Sequence, residues 1–143
     1  MQVKVKKLVS EAVVPSYAKP GDAGMDLTAT SVYFPHEELY IEYGTDLSIE
    51  IPVGYVGLIF PRSSISKFDL SLANAVGVID SGYKGEVKCR FKHIKYDGDY
   101  HIYKTGDRIA QLMILPIPTV ELVEVDDLSD TDRGEGGFGH SGK

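Results

Sequence analysis

Apolar residues recur at every second position along most of this chain, and no stretch sustains helical spacing. Val3 and Val5 alternate with polar neighbours, as do Leu47, Ile49, Ile51 and Val53, and less regularly Val120, Leu122 and Val125. Two near-continuous apolar runs, Tyr55 to Phe60 and Ile109 to Ile114, read as fully buried strands. Glycine and proline break the runs at Pro20-Gly21, Pro52-Val53-Gly54, Asp97-Gly98 and Pro116-Ile117-Pro118. One short helix fits between Ser63 and Phe68, after Pro61. Many short strands with frequent turns predict an all-β barrel or sandwich. With 143 residues, 43% of them hydrophobic, the chain can bury one core.

The end of the chain breaks the pattern. Residues 126–132 form an acidic linker, and five of the fifteen glycines fall between Gly134 and Gly142. Such a segment buries too little apolar area to order itself. The expected division is a β domain over 1–125 and a linker with a flexible glycine-rich arm over 126–143.

A net charge of −6 argues against a general nucleic-acid or membrane-surface binder, but not against a small polyanion met by a local cluster of cations. Cys89 is the lone cysteine, so no intrachain disulfide can form and a reducing compartment is expected. Neither a signal peptide nor a membrane span is visible. The expected location is the cytoplasm, or the host-cell interior for a viral chain, with the nucleus also open.

Three segments can carry chemistry. In Ala75 to Glu86 an apolar run leads into Asp80, and Ser81-Gly82 and Lys84-Gly85 favour a β-hairpin. Asp80 is either a turn residue capping its own backbone or a carboxylate at a pocket mouth, able to take a proton from water. Tyr83 would then offer a flat face to a sugar or base. Pro61-Arg62-Ser63-Ser64 puts a guanidinium and two hydroxyls at a strand-to-helix junction, which suits an oxyanion as well as a plain helix cap. Gly134 to Gly139 lets backbone N–H groups converge on an anion, or is plain disorder. Phe138 is the one large apolar residue there and can stack on a base. Asp22-Ala-Gly-Met-Asp-Leu27 and Gly106-Asp-Arg-Ile-Ala-Gln-Leu112 gain meaning only beside these. The four histidines show no zinc spacing, and the zinc-deaminase signature is absent.

Taken in order, these five segments resemble the trimeric dUTP pyrophosphatase family across almost the whole chain. Its patterns look like Ala-Gly-x-Asp-Leu, Pro-Arg-Ser-Gly, Gly-x-Ile-Asp-x-x-Tyr-x-Gly, Gly-x-Arg-x-Ala-Gln and Arg-Gly-x-Gly-Gly-Phe-Gly-Ser-Thr-Gly. The resemblance implies a distorted jelly-roll, β-barrel-like subunit of the β-clip type. It also implies a homotrimer whose three sites are each assembled from all three chains. The first, second and fourth motifs would come from one subunit, the hairpin from a second and the tail from the third. The implied reaction converts dUTP to dUMP and pyrophosphate, lowering dUTP and supplying dUMP for thymidylate synthesis.

Residue roles follow from the same resemblance. Asp80 would activate the water that attacks the α-phosphorus. Arg62, Ser63 and Ser64 would bind the phosphate chain. Asn74, Gly77, Val78 and Ile79, with backbone near Lys88, would form the uracil slot. Tyr83 would pack on the deoxyribose, and Gln111 would bridge phosphate and the motifs around it. Arg133 would reach the γ-phosphate, Phe138 would stack on uracil, and Gly139 and Ser141 would close over the phosphates. Mg2+ would ride on the triphosphate with no direct protein ligand, Asp26 helping through water at most.

Three positions depart from the pattern: Met25 for the more usual Tyr, Ser64 for Gly, and His140-Ser141 for Ser-Thr. The related dCTP deaminases share a Pro-Arg-Ser-Ser-like motif, but place a catalytic Glu where this chain has Arg90. A regulatory protein-binding role on the same scaffold is a third reading.

Overall fold

A computed structural model describes residues 1–35, 39–94 and 101–136. The ten strands among them are β1 (Lys4–Lys7), β2 (Met25–Thr28), β3 (Ser31–Tyr33), β4 (Ile41–Gly44), β5 (Leu47–Glu50), β6 (Tyr55–Pro61), β7 (Leu70–Leu72), β8 (Gly77–Ile79), β9 (Lys88–His93) and β10 (Arg108–Pro116). The one helical element among the described residues is a 3-10 turn at Ser63–Lys67, where the sequence places it.

The strands form a four-stranded sheet β2-β10-β6-β8, a second one β3-β4-β9-β7, and a ribbon β1-β5. All pairings are antiparallel. One apolar core joins them: Leu27, Ile59, Ile79, Ile109, Ala110 and Leu112 from the first sheet meet Ile41, Tyr43, Leu70, Leu72, Cys89 and Phe91 from the second. The all-β, jelly-roll expectation is therefore realised, as two sheets over a shared core rather than one closed barrel.

The buried runs need correction. Along β6, Val56, Gly57 and Ile59 are buried while Leu58 and Phe60 are partly exposed. Only one face of this sheet meets the core, so from Gly57 to Phe60 the strand alternates like the others. In β10 a bulge between Arg108 and Ala110 turns two consecutive residues inward, and Ile109 and Ala110 are both fully buried. The alternation also overreaches at two ends. Val53 lies in a turn and is 90% exposed. Val120, Leu122 and Val125 are exposed and form no strand, and every residue from 117 to 135 is exposed. The Asp97-Gly98 turn lies outside the described residues.

The expected hairpin is also different in kind. β8 pairs with β6, whereas β9 pairs with β4 and β7, so the 80–87 turn carries the chain from one sheet to the other. A turn sequence fixes a local reversal, but which sheet receives the next strand is decided by packing.

Aromatic rings dominate the centre. Tyr43 meets Phe91 edge-on at 5.6 Å and Tyr103 at 6.0 Å, and Tyr103 lies 4.0 Å from Phe68. The Tyr43 hydroxyl donates to the Tyr103 carbonyl at 3.2 Å, and burial holds its pKa well above the ordinary range. Cys89 is a core residue whose thiol burial pushes up to about 12, which leaves it unreactive. Phe91→Ala is expected to cost about 3–5 kcal/mol of stability, read by urea unfolding, because its cavity is walled by rings that cannot collapse into it.

Candidate active site

Two clusters of polar side chains stand out, on different parts of the first sheet. One surrounds a cavity of about 480 Å³ between β8 and β9. Asn74, Gly77, Val78, Ile79, Asp80, Tyr83 and Lys88 all line it, so seven residues expected at a site share one concavity. That volume is within the range of small-ligand pockets. β8 is the last strand of its sheet, so the outer edge of its backbone has no strand partner among the described residues. Ala75, at φ 59°, takes the left-handed turn that brings the chain from Asn74 into β8.

Asp80 is exposed at the end of β8, and no hydrogen bond or ion pair among the described residues holds its carboxylate. The tight turn is closed by the Tyr83 N–H donating to the Asp80 carbonyl at 3.1 Å. The Tyr83 hydroxyl donates to the Glu86 carbonyl at 2.7 Å, folding the half-exposed ring over the turn. Gly85 makes that possible, since a Cβ there would lie 2.5 Å from the Tyr83 oxygen.

The second cluster joins the first, second and fourth motifs. Gln111 of β10 pairs across the sheet with Asp26 of β2 and Phe60 of β6. Gly24 packs against it so closely that a Cβ would meet Gln111 Oε1 at 2.7 Å. Arg62 Nε donates to Asp26 Oδ1 at 2.8 Å, and Arg108 donates to Oδ2 at 3.0 Å. Both carboxylate oxygens of Asp26 are thus engaged by cations. Ser64 and Arg62 line a smaller cleft of about 300 Å³ with Tyr103, Asp107 and Arg108. Ser63 is exposed and opens the 3-10 turn.

The clusters do not meet within one chain. Ile79 faces Gly57 on β6, and Arg62 lies five residues further along the same extended segment, roughly 16 Å away by strand rise. Arg133 sits in an exposed turn of its own, its Nε donating to the Gly136 carbonyl at 2.9 Å. Phe138, Gly139, His140 and Ser141 lie outside the described residues.

The family model described as dUTPase matches residues 10–142. The chain belongs to the dUTPase family. A deoxyuridine 5'-triphosphate nucleotidohydrolase of Nocardia farcinica is 43% identical over 145 residues, covering 98% of this chain and 85% of the relative. Among solved structures, the dUTPase of Staphylococcus bacteriophage 80alpha with dUPNHPP matches with a TM-score of 0.79 at 34% identity, 99% of each chain being covered. A dUTPase variant of phage phi11 of S. aureus, for which coordination of a structural Mg(II) ion is described, reaches 0.71 at 30% identity, covering 89% of this chain and 98% of that one.

Sequence reasoning passes over one feature of this dUTPase cavity. Glu42 of β4 accepts from Lys88 and from Arg90 of β9, both at 2.8 Å, and all three line the pocket. The Lys88 ammonium, then the Arg90 guanidinium, hold the Glu42 carboxyl below its usual range, against the opposing pull of its burial. Arg90 also lies 4.4 Å from the Tyr40 ring centre. Period two puts Lys88 and Arg90 on one face of β9, but the register that brings Glu42 opposite Arg90 is tertiary.

Proposed function

We propose that this dUTPase-family chain hydrolyses dUTP to dUMP and pyrophosphate, with Asp80 as general base. The observation that carries the reading is the Asp80 carboxylate, unpaired among the described residues, beside a cavity bounded by a strand edge that no other described strand covers. Uracil enters between β8 and β9, where backbone N–H and C=O groups of Gly77, Val78 and Ile79, and that near Lys88, meet its polar edge. Cytosine swaps donor and acceptor and would leave those buried groups unpaired, which is strongly disfavoured. Tyr83 packs on the deoxyribose and leaves no room for a 2′-hydroxyl. Asn74 closes the slot.

Asp80 takes the proton of a water aimed at the α-phosphorus, and pyrophosphate leaves in line. Arg62, Ser63, Ser64 and Gln111 hold the phosphate chain, and Arg133 reaches its γ end. Phe138 stacks on the base, while Gly139 and Ser141 cover the phosphates. Because Asp80 and Arg62 stand far apart in one chain, the reading requires a second copy to complete the site, which supports a homotrimer. We also divide the chain into a β domain, 1–125, and an arm, 126–143. The exposure of residues 117–135 supports a mobile connection that begins even earlier.

Among the described residues no group of three His, Cys, Asp or Glu side chains can cage a metal. Asp26 is occupied by two arginines. This donor set is compatible with an ion brought on the triphosphate oxygens. Bound there, Mg2+ neutralises charge on the phosphates. Arg90, an always-charged guanidinium paired with Glu42, cannot shuttle the proton that deamination needs. No helix among the described residues is long and apolar enough to cross a membrane.

Pyrophosphate release with magnesium from dUTP, dCTP, dTTP and UTP tests the reading. Release from dUTP is expected to exceed the others by at least about 100-fold in kcat/KM for dCTP and UTP, where polar groups or the sugar mismatch. Discrimination against the 5-methyl of dTTP rests on one methyl and is set by fit alone. Equal rates on all four would remove the slot from its role, and ammonia release from dCTP would make the chain a deaminase.

A further inference from the structure

Tyr103 is 2% exposed, yet it lines the same small cleft as Arg62, Ser64, Asp107 and Arg108. Its ring is locked between Phe68, at 4.0 Å, and the edges of Tyr43 and Phe91. Its hydroxyl completes no hydrogen bond of good geometry with the described chain. Burial raises its pKa; the Ser64 hydroxyl and the Arg62 guanidinium offset part of that rise, and Asp107 adds to it. Ser64 and the Tyr103 ring share the cleft wall. A shielded hydroxyl left unmet is costly, and native proteins rarely keep one without a use. Ser64 Oγ meanwhile accepts only a long contact from Arg62 at 3.4 Å, weaker than the 2.8 Å bond Arg62 gives Asp26.

We infer that Tyr103 is a positioning residue for phosphate binding, its hydroxyl donating to Ser64 Oγ so that Ser64 points its own proton at a phosphate oxygen. The inference rests on the dUTP reading above. An arriving anionic oxygen takes the Ser64 proton as a hydrogen bond and turns the serine side chain toward it. That rotation brings an Oγ lone pair to the Tyr103 hydroxyl, which is fixed in place and donates to it. A serine hydroxyl otherwise rotates among donors and acceptors, and a fixed donor behind it commits it to donating forward. Ser64 stands where the family pattern carries Gly, so this hydroxyl brings its own need for support.

Tyr103→Phe removes the hydroxyl and keeps the ring. KM for dUTP, and Kd for an imido analogue of dUTP, are expected to rise about five- to tenfold, with kcat within twofold of the parent. The melting temperature without nucleotide is expected to hold or rise, because an unmet group has been removed. Ser64→Ala is expected to lose the same affinity, and adding Tyr103→Phe to it to cost nothing more. An unchanged KM, a lower nucleotide-free melting temperature, or additive losses would each overturn the inference while the parent still turns over dUTP. A parent inactive on all four nucleotides would remove the dUTP reading and this inference with it.

Discussion

Asp80→Asn is expected to bind the imido analogue of dUTP about as tightly as the parent and to lose turnover by about 10²–10⁴-fold, the usual share of a positioned base. The substitution is nearly isosteric. The carboxylate has no ion pair or hydrogen bond among the described residues to lose, so the fold should not register the change. Affinity should persist because the cavity walls, the free edge of β8 and the Tyr83 ring are untouched. A loss confined to kcat marks a group used only as the reaction proceeds. If Asp80→Asn turns over at the parent rate, the base lies elsewhere. If it fails to bind, Asp80 belongs to the slot and not to the chemistry. The measurement is a single-turnover rate beside an isotherm for the analogue.

Truncation after Asp132 is the second large effect. It removes Arg133 and the glycine-rich arm and leaves all ten strands intact. The unfolding midpoint and the oligomeric state should match those of the full chain, because residues 117–135 are exposed and bury no core. Activity on dUTP should fall by about 10²-fold or more, the scale of losing charge stabilisation at a developing oxyanion. Salt should weaken dUTP binding less in the truncated chain, since a cation has gone. A truncated chain with parental kcat/KM would place the arm outside the site.

The class of fold was legible from the alternation of apolar residues, and the short helical turn from Pro61 and the serines after it. What alternation could not supply was pairing. Gly77–Ile79 and Lys88–His93 look like two arms of a hairpin, yet each finds its partner in a different sheet. Val120, Leu122 and Val125 keep the rhythm of a strand without a neighbour to bond. Ile109 and Ala110 are both buried only because a bulge intervenes.

The candidate site shows the same division. Asp80, Tyr83 and the run before them are contiguous, so their shared cavity was readable from local order. Asp26 was read as a group near the metal, whereas Arg62 and Arg108, 36 and 82 residues away, occupy both its oxygens. Glu42 escaped notice because its partners lie 46 and 48 residues on. Tyr103 escaped because the rings that enclose it, Tyr43, Phe68 and Phe91, are remote from it in sequence.

The unpaired edge of β8 bears on how such a protein can change. If base choice is made there by main-chain groups, it is not stored in the identity of any side chain. Val78, 62% exposed in the middle of that strand, could drift among many residues while the preference for uracil stayed put. Changing the preference would instead require shifting β8 against β6, and that shift would carry Ile79 out of the core. Base selectivity would then be tied to the fold's own stability, beyond the reach of ordinary point substitution.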